Sequence, residues 1–527
     1  MLPNSYHITP LDEIIPPLFF GLIYAFPCHE SRRQGALEVL QAGYTRLLQS
    51  YPYLGGDLVR DDYSNMRDRP GHLNLVVPEK VSTTKLPVVD LSDYPSSRWT
   101  RDYAEVLEAG LPLSWLDPAL LAPHAAGIVT TTKPFTAQVS WIPGGCLLTT
   151  CFSHAVMDAT GASSVMQCWA ELCREMQDGS SNIDGAVVRR MSKGKTNIPE
   201  SSSPIPDAGH IPAPEKSFDI QKNRAELAIV TPTFIPAARP SMPGMRTVVF
   251  SFSRLAAARL KADATPMDKS QWISTTDAMT ALIWRSVMRA RFPDATSMSK
   301  DKKVIVNVPV NGRSLFQPAL PSSHSFRIRR DDGHTCQDNP TGIERIKSDT
   351  SLVGDAVILA SSIPNVGSLV SSFKDFLASE LATSSWVDFP FYQVDFGPIL
   401  GRPDLLRIPR GQWAEFCVLG PRKSNGHVEV FISLKRDEME RFLVDAEFQN
   451  TSMIRPMLRL RGAIHQLENL RDEATKEEYD EVEESLHCGL MTPDQIIHSE
   501  TQKAPSAVFV EQQFVMDPMP HAPLAST

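Results

Sequence analysis

The chain has 527 residues, 42% of them apolar and 21% charged, with 42 prolines. That length exceeds what one hydrophobic core organises, so two domains are expected, and the apolar share excludes a wholly disordered polypeptide. A net charge of −9 with no Lys/Arg stripe excludes a nucleic-acid footprint, while a few local basic groups can still hold an anionic small molecule.

The eight cysteines, Cys28, Cys146, Cys151, Cys168, Cys173, Cys336, Cys417 and Cys488, show no CxxC spacing. They read as buried thiols rather than a metal site. Met1-Leu2-Pro3-Asn4 lacks a basic n-region, and the apolar run from Ile14 to Phe26 is interrupted by Pro16, Pro17 and Gly21, so no signal peptide is expected. No stretch approaches the roughly 20 apolar residues of a membrane-spanning helix, which makes the reducing cytoplasm the expected compartment.

In chain order, Leu37, Leu40, Tyr44, Leu47 and Leu48 are spaced for an amphipathic helix that ends at Tyr51-Pro52-Tyr53-Leu54-Gly55-Gly56. Short apolar runs at Leu73 to Val77, Gln138 to Trp141 and Cys146 to Phe152 have the length and flanks of strands. A helix from Gly161 to Met176 follows, with Val165, Met166, Trp169, Leu172 and Cys173 on one face. The Ser/Pro/Lys-rich stretch from Arg189 to Lys216 reads as an exposed linker. Beyond it come a strand at Thr247 to Phe252, a helix at Thr275 to Arg291 capped by Ser274 with Asp277, and strands at Val304 to Val310 and Val428 to Leu434. The resulting division is an N-terminal domain 1–188, a crossover linker 189–245, a C-terminal domain 246–452, and a charged helical segment and polar tail 453–527. Interleaved strands and helices predict an α/β architecture with a ligand site between two halves.

Ser153-His154-Ala155-Val156-Met157-Asp158-Ala159-Thr160-Gly161 carries a His and an Asp four apart. Chance gives roughly one such pair in a chain of this composition, and His334 with Asp338 is a second, set in a hydrated loop. The first pair differs in context. It follows the apolar strand and precedes a helix, a placement that holds an imidazole rigidly while letting it face a cleft, as a general base requires. A core or surface histidine is the competing reading of an isolated His.

His154-x-x-x-Asp158 with Gly161, followed in order by Thr275-Thr276-Asp277-Ala278, Asn311-Gly312-Arg313-Ser314, Ser384-Ser385-Trp386 and Asp395-Phe396-Gly397, resembles the BAHD acyltransferases. The likeness runs over nearly the whole chain and is strongest to the fungal branch similar to trichothecene O-acetyltransferases. It implies two chloramphenicol acetyltransferase-like domains with a channel at their interface. It further implies a monomer that draws on acyl-CoA, acetyl-CoA by analogy, as co-substrate, with no permanently bound cofactor and no metal. His154 would deprotonate a hydroxyl of a secondary metabolite, and transfer would be direct, without an acyl-enzyme. Ser384 takes the oxyanion-donor position and Trp386 the pocket wall. Asp158, paired with Arg313, and Asp395 with Gly397 take structural positions.

Two departures stand out. The segment after Asp395-Phe396-Gly397 is Pro398-Ile399-Leu400-Gly401, without the family's Trp, and the stretch from Ser322 to Gly354 does not match the family pattern. N-acylation or condensation-type amide formation is the alternative chemistry, although Ser153 stands where condensation domains carry a second His. A catalytically inactive ligand-binding homologue is the alternative of another class.

Overall fold

The computed structural model describes residues 5–8, 19–60, 73–77, 85–92, 99–123, 133–178, 227–229, 244–265, 273–293, 305–311, 325–328, 369–371, 380–409, 416–451 and 509–510. The linker expected at 189–216, Arg313, the His334/Asp338 loop and nearly all of the 453–527 tail lie outside them.

The first half runs β1 (Ser5–His7), β2 (Phe19–Pro27), α1 (Arg33–Ser50), β3 (Asp57–Arg60), β4 (Leu73–Val76) and β5 (Val88–Asp90). It continues with α2 (Tyr103–Ala109), α3 (Pro118–Leu121), β6 (Phe135–Ile142), β7 (Gly145–Ser153) and α4 (Ala159–Gln177). The second half supplies β8 (Leu227–Ile229), β9 (Met245–Phe252), α5 (Arg254–Ala264), α6 (Thr275–Arg291), β10 (Ile305–Asn311), β11 (Ser325–Ile328) and β12 (Leu369–Ser371). After these come β13 (Glu380–Ser385), β14 (Leu405–Arg407), β15 (Phe416–Arg422), β16 (Val428–Lys435), α7 (Arg436–Leu443), α8 (Ala446–Thr451) and β17 (Phe509–Val510).

Two large sheets organise the molecule. The first has the order β14-β2-β7-β6-β5 and the second β11-β10-β13-β15-β16-β9-β17. In the first, β2 and β7 are buried along nearly their whole length. Strands covered on both faces need apolar runs rather than alternation, which is how Phe19 to Phe26 is written and, apart from Thr149 and Thr150, Cys146 to Phe152, the Thr150 hydroxyl donating to the Leu22 carbonyl at 3.3 Å. Helices α1 and α4 pack on this sheet and on each other. The Trp169 indole donates to the Leu40 carbonyl at 3.1 Å, and a Cβ at Gly43 would stand 2.4 Å from Cys173 Sγ, so only glycine permits that approach.

The second sheet is sorted by the period-2 alternation of its strands. Val248, Phe250 and Phe252 of β9, Cys417 and Leu419 of β15, and Val430 and Ile432 of β16 join α6, α7 and α8 in one core. Their neighbours Val249, Val418 and Phe431 point the other way, into the core of the first half. The halves therefore share a continuous apolar contact. Helix α6 starts at the expected residue, with Ser274 and Asp277 forming a reciprocal capping box.

The sheets do not follow the chain division at 246–452. Strand β14, from the second half, pairs antiparallel with β2 and completes the first sheet, Arg407 lying opposite Ile23. It is held there by a buried ionic network. Arg407 donates to the carbonyls of Leu111 at 3.0 Å, Leu406 at 2.7 Å and Gly110, and its guanidinium meets Glu429 of β16 at 2.7 Å. Lys423 reaches the same carboxylate at 2.8 Å. Burial pushes the Glu429 carboxyl up, but the charges of Arg407 and Lys423 outweigh it and hold its pKa at about 2. Among the described residues, the 189–245 linker holds β8, paired antiparallel with β12, and the first residue of β9.

Among the described residues no helix is long and apolar enough to cross a membrane. The six described cysteines, Cys28, Cys146, Cys151, Cys168, Cys173 and Cys417, are buried and none is in a disulfide.

Candidate active site

His154 begins a tight turn just past the last residue of β7. The amides of Val156 and Met157 both donate to the Ser153 carbonyl, at 3.1 and 3.0 Å, and so fold the chain back towards α4. Ala155, Val156 and Met157 are buried and anchor the turn, while His154 is half-buried. The residue therefore sits on rigid backbone and keeps partial exposure, while its Nδ1 faces inward and is buried.

Asp158 is the N-cap of α4, its carboxylate accepting the Gly161 N–H at 2.9 Å. A carboxylate there satisfies an otherwise orphaned amide and complements the positive end of the helix dipole. The motif's Asp thus fixes the join between turn and helix. Its expected partner Arg313 is outside the described residues.

Ser384 and Trp386 come from the other half. On β13, Leu381 packs into the second-half core, so Ser384, three residues on, projects from the opposite face. Its partner across the parallel ladder is Val418, which belongs to the core of the first half. The Trp386 indole donates to Ser384 Oγ at 3.1 Å. Indole N–H is a donor only, so this bond uses an acceptor position of the hydroxyl and leaves the Ser384 proton to donate elsewhere. Trp386 is 7% exposed and packs against Phe20 and Phe391. It is a buried aromatic of the first-half core.

Phe20, at the start of β2, joins the two sets. Its ring centroid lies 5.2 Å from that of His154 and 6.3 Å from that of Trp386. Phe20, Gln177 and Arg407 are the residues that sequence reasoning missed.

Asp395 lies farther along the interface. Its carboxylate accepts the Gly397 N–H at 3.0 Å and faces Arg402 at 3.6 Å. Gln177, the last residue of α4, clamps this loop, donating to the Phe396 carbonyl at 2.6 Å and accepting the Ile399 N–H at 3.0 Å. Gly397 has φ +86°, and a Cβ there would meet Gln177 Nε2 at 2.3 Å. Phe396 stands edge-on to Phe26 and Trp169. Helix α4 thus carries the His154 turn at one end and the Asp395 loop at the other. Among the described residues no three His, Cys, Asp or Glu side chains gather as metal ligands would.

Comparison with known proteins gives two family matches. Residues 18–173 match the trichothecene 3-O-acetyltransferase-like N-terminal domain, and residues 119–325 and 344–449 match the transferase family. The break between them falls inside the stretch from Ser322 to Gly354, where the sequence departs from the family pattern. An eremophilane O-acetyltransferase of Penicillium rubens is 31% identical over 483 residues, covering 85% of this chain and 98% of the relative. Trichothecene 3-O-acetyltransferase TRI101 of Fusarium sporotrichioides is 25% identical, covering 78% and 88%. In fold, the crystal structure of F. graminearum TRI101 complexed with coenzyme A and deoxynivalenol superposes with a TM-score of 0.66 at 20% identity, covering 84% of this chain and 98% of that one.

Proposed function

Because the chain belongs to the BAHD-type transferase family and has the two-domain fold of its acyltransferases, we propose that it moves an acyl group, acetyl in the first instance, from coenzyme A to a hydroxyl of a secondary metabolite. The donor thioester and the acceptor alcohol approach His154 from opposite faces of a channel between the halves. His154 removes the alcohol proton as the oxygen attacks the thioester carbonyl, so no free alkoxide forms. The tetrahedral intermediate collapses with cleavage of the C–S bond, the coenzyme A sulfur receives the proton from the imidazolium, and the ester departs. No acyl-enzyme is needed.

Ser384 serves as oxyanion donor in this reading. Its Oγ accepts from Trp386 at 3.1 Å, which leaves the hydroxyl proton for the developing negative charge, an interaction worth about 3 kcal/mol in the transition state. Asp158, through the Gly161 N–H, keeps the turn in place and takes no proton. Asp395 and Gly397 shape the loop that Gln177 grips. The proposed domain division remains 1–188 and 246–452, joined through 189–245, with 453–527 as an appended tail and β14 contributed to the first sheet.

The observation that carries the reading is that His154 at the end of β7 and the Ser384 hydroxyl on β13, from different halves, are linked through two packed rings, Phe20 against the imidazole and Trp386 against the hydroxyl. The experiment incubates purified protein with acetyl-CoA and a panel of hydroxylated terpenoids and alkaloids, and follows thiol release. Acceptor-dependent release that is lost in His154→Ala supports the proposal. Release that survives the substitution removes His154 as base, and tight acceptor binding without any release identifies a non-catalytic ligand-binding homologue.

A further inference from the structure

We propose that Phe20 is a positioning residue that sets the spacing between His154 and the Trp386/Ser384 pair. The inference rests on the reading of His154 as general base. In the β2/β7 ladder Phe20 lies opposite Phe152, so its side chain shares a face with Phe152, and His154 follows just past the end of that strand. The Phe20 ring stacks on Phe152 with centroids 5.4 Å apart and planes 28° apart. It meets the imidazole at 5.2 Å and 58°, and the Trp386 indole at 6.3 Å and 55°. At 4% exposure, on a strand buried along both faces, it has no room to swing aside.

One immobile ring therefore touches the base from the first half and the indole from the second. Phenylalanine has no proton to give and no polar atom, so its whole effect is geometric. It limits rotation of the imidazole about its side-chain bonds. It also bears on the indole that is committed to Ser384, so a displacement of Phe20 moves base and oxyanion donor relative to each other. Proton transfer requires heavy atoms within about 2.6–3.2 Å, and a misplacement of about 1 Å costs on the order of a hundredfold in rate.

The test compares Phe20→Leu and Phe20→Tyr with the parent enzyme and with His154→Ala, using acetyl-CoA and whichever alcohol of the panel supports thiol release. Phe20→Leu keeps the site apolar but removes the ring, and kcat should fall about tenfold to a hundredfold while KM for both substrates stays within about threefold. Phe20→Tyr restores the ring and should recover most of that loss. Phe20→Met replaces the Leu variant if the latter does not fold, with the same expectation. The inference is overturned if a folded Leu or Met variant keeps kcat within about twofold, if KM rises in step with the loss, or if Tyr does no better than Leu. An active His154→Ala would instead remove the reading on which the inference depends, so the two failures are distinguishable.

Discussion

Replacing Glu429 by Gln should destabilise the protein by about 3 kcal/mol, the lower end of the cost of leaving a buried charge without its partner. Arg407 is 2% exposed and Glu429 4%, so neither can turn to water. Each carboxylate oxygen meets its own Arg407 terminal nitrogen, Oε2 at 2.7 Å and Oε1 at 3.3 Å; glutamine keeps the shape but replaces one of them with an NH₂ that faces other donors. Arg407 retains the carbonyls of Gly110, Leu111 and Leu406, which is why the loss belongs at the lower end. Lys423, 20% exposed, can relax towards solvent. The same network fixes a pH dependence. A carboxyl lowered from 4.5 to about 2 in the fold contributes stability that is fully present above its unfolded pKa and is lost as pH falls from about 4.5 through 2, by about 3 kcal/mol in all. Urea denaturation at pH 7 measures the first quantity, and a series down to pH 2 measures the second. The Arg407→Met/Glu429→Leu double variant should recover most of the loss, since it removes both fully buried charges and leaves only Lys423, which can relax towards solvent. A loss below about 1 kcal/mol in Glu429→Gln, or a double variant no more stable than the single, would refute the argument.

Ser384→Ala should lower kcat about a hundredfold with little change in KM for acetyl-CoA, measured by thiol release. Ser274→Ala, which removes the capping box of α6, should cost about 1 kcal/mol in a denaturant titration and leave kcat unchanged. Gly397→Ala, forced into φ +86° against Gln177, should cost about 1–3 kcal/mol, and adding Gln177→Ala should relieve the clash but not the backbone strain. The six described cysteines are buried, with burial pushing the thiol of Cys168 up to about 12 and those of Cys146, Cys173 and Cys417 higher still. A thiol reagent at pH 8 should leave them unmodified in the native protein and modify them in urea.

Much of the framework was legible where pattern and punctuation agree. Helix α6 has a capping box and a buried stripe, and α4 has a capped start after a strand, so their limits were readable within a residue or two. Strand β2 was not read as a strand, because its run from Phe19 to Phe26 is covered on both faces and lacks the alternation that marks one. Strand β13 escaped because Glu380-Leu381-Ala382-Thr383-Ser384-Ser385 is polar and short, and β14 because it contains Arg407, whose burial makes sense only once Glu429 is beside it. At the site, His154 was readable from its own neighbourhood. Phe20 was not, since nothing in the chain relates position 20 to position 154 until β2 and β7 are in register. The link between Trp386 and Ser384 is two residues long in sequence, yet its direction depends on the strand face, which only the sheet defines.

The late arrival of β14 bears on how the molecule is made. A ribosome will have finished β2, β7 and β6 long before it translates Leu405 to Arg407, so the edge of β2 must wait, unpaired, for more than half of the chain. Expressing residues 1–188 alone should therefore yield aggregates at that edge, whereas co-expression with a fragment from 246 onward should rescue solubility by supplying the missing strand in trans.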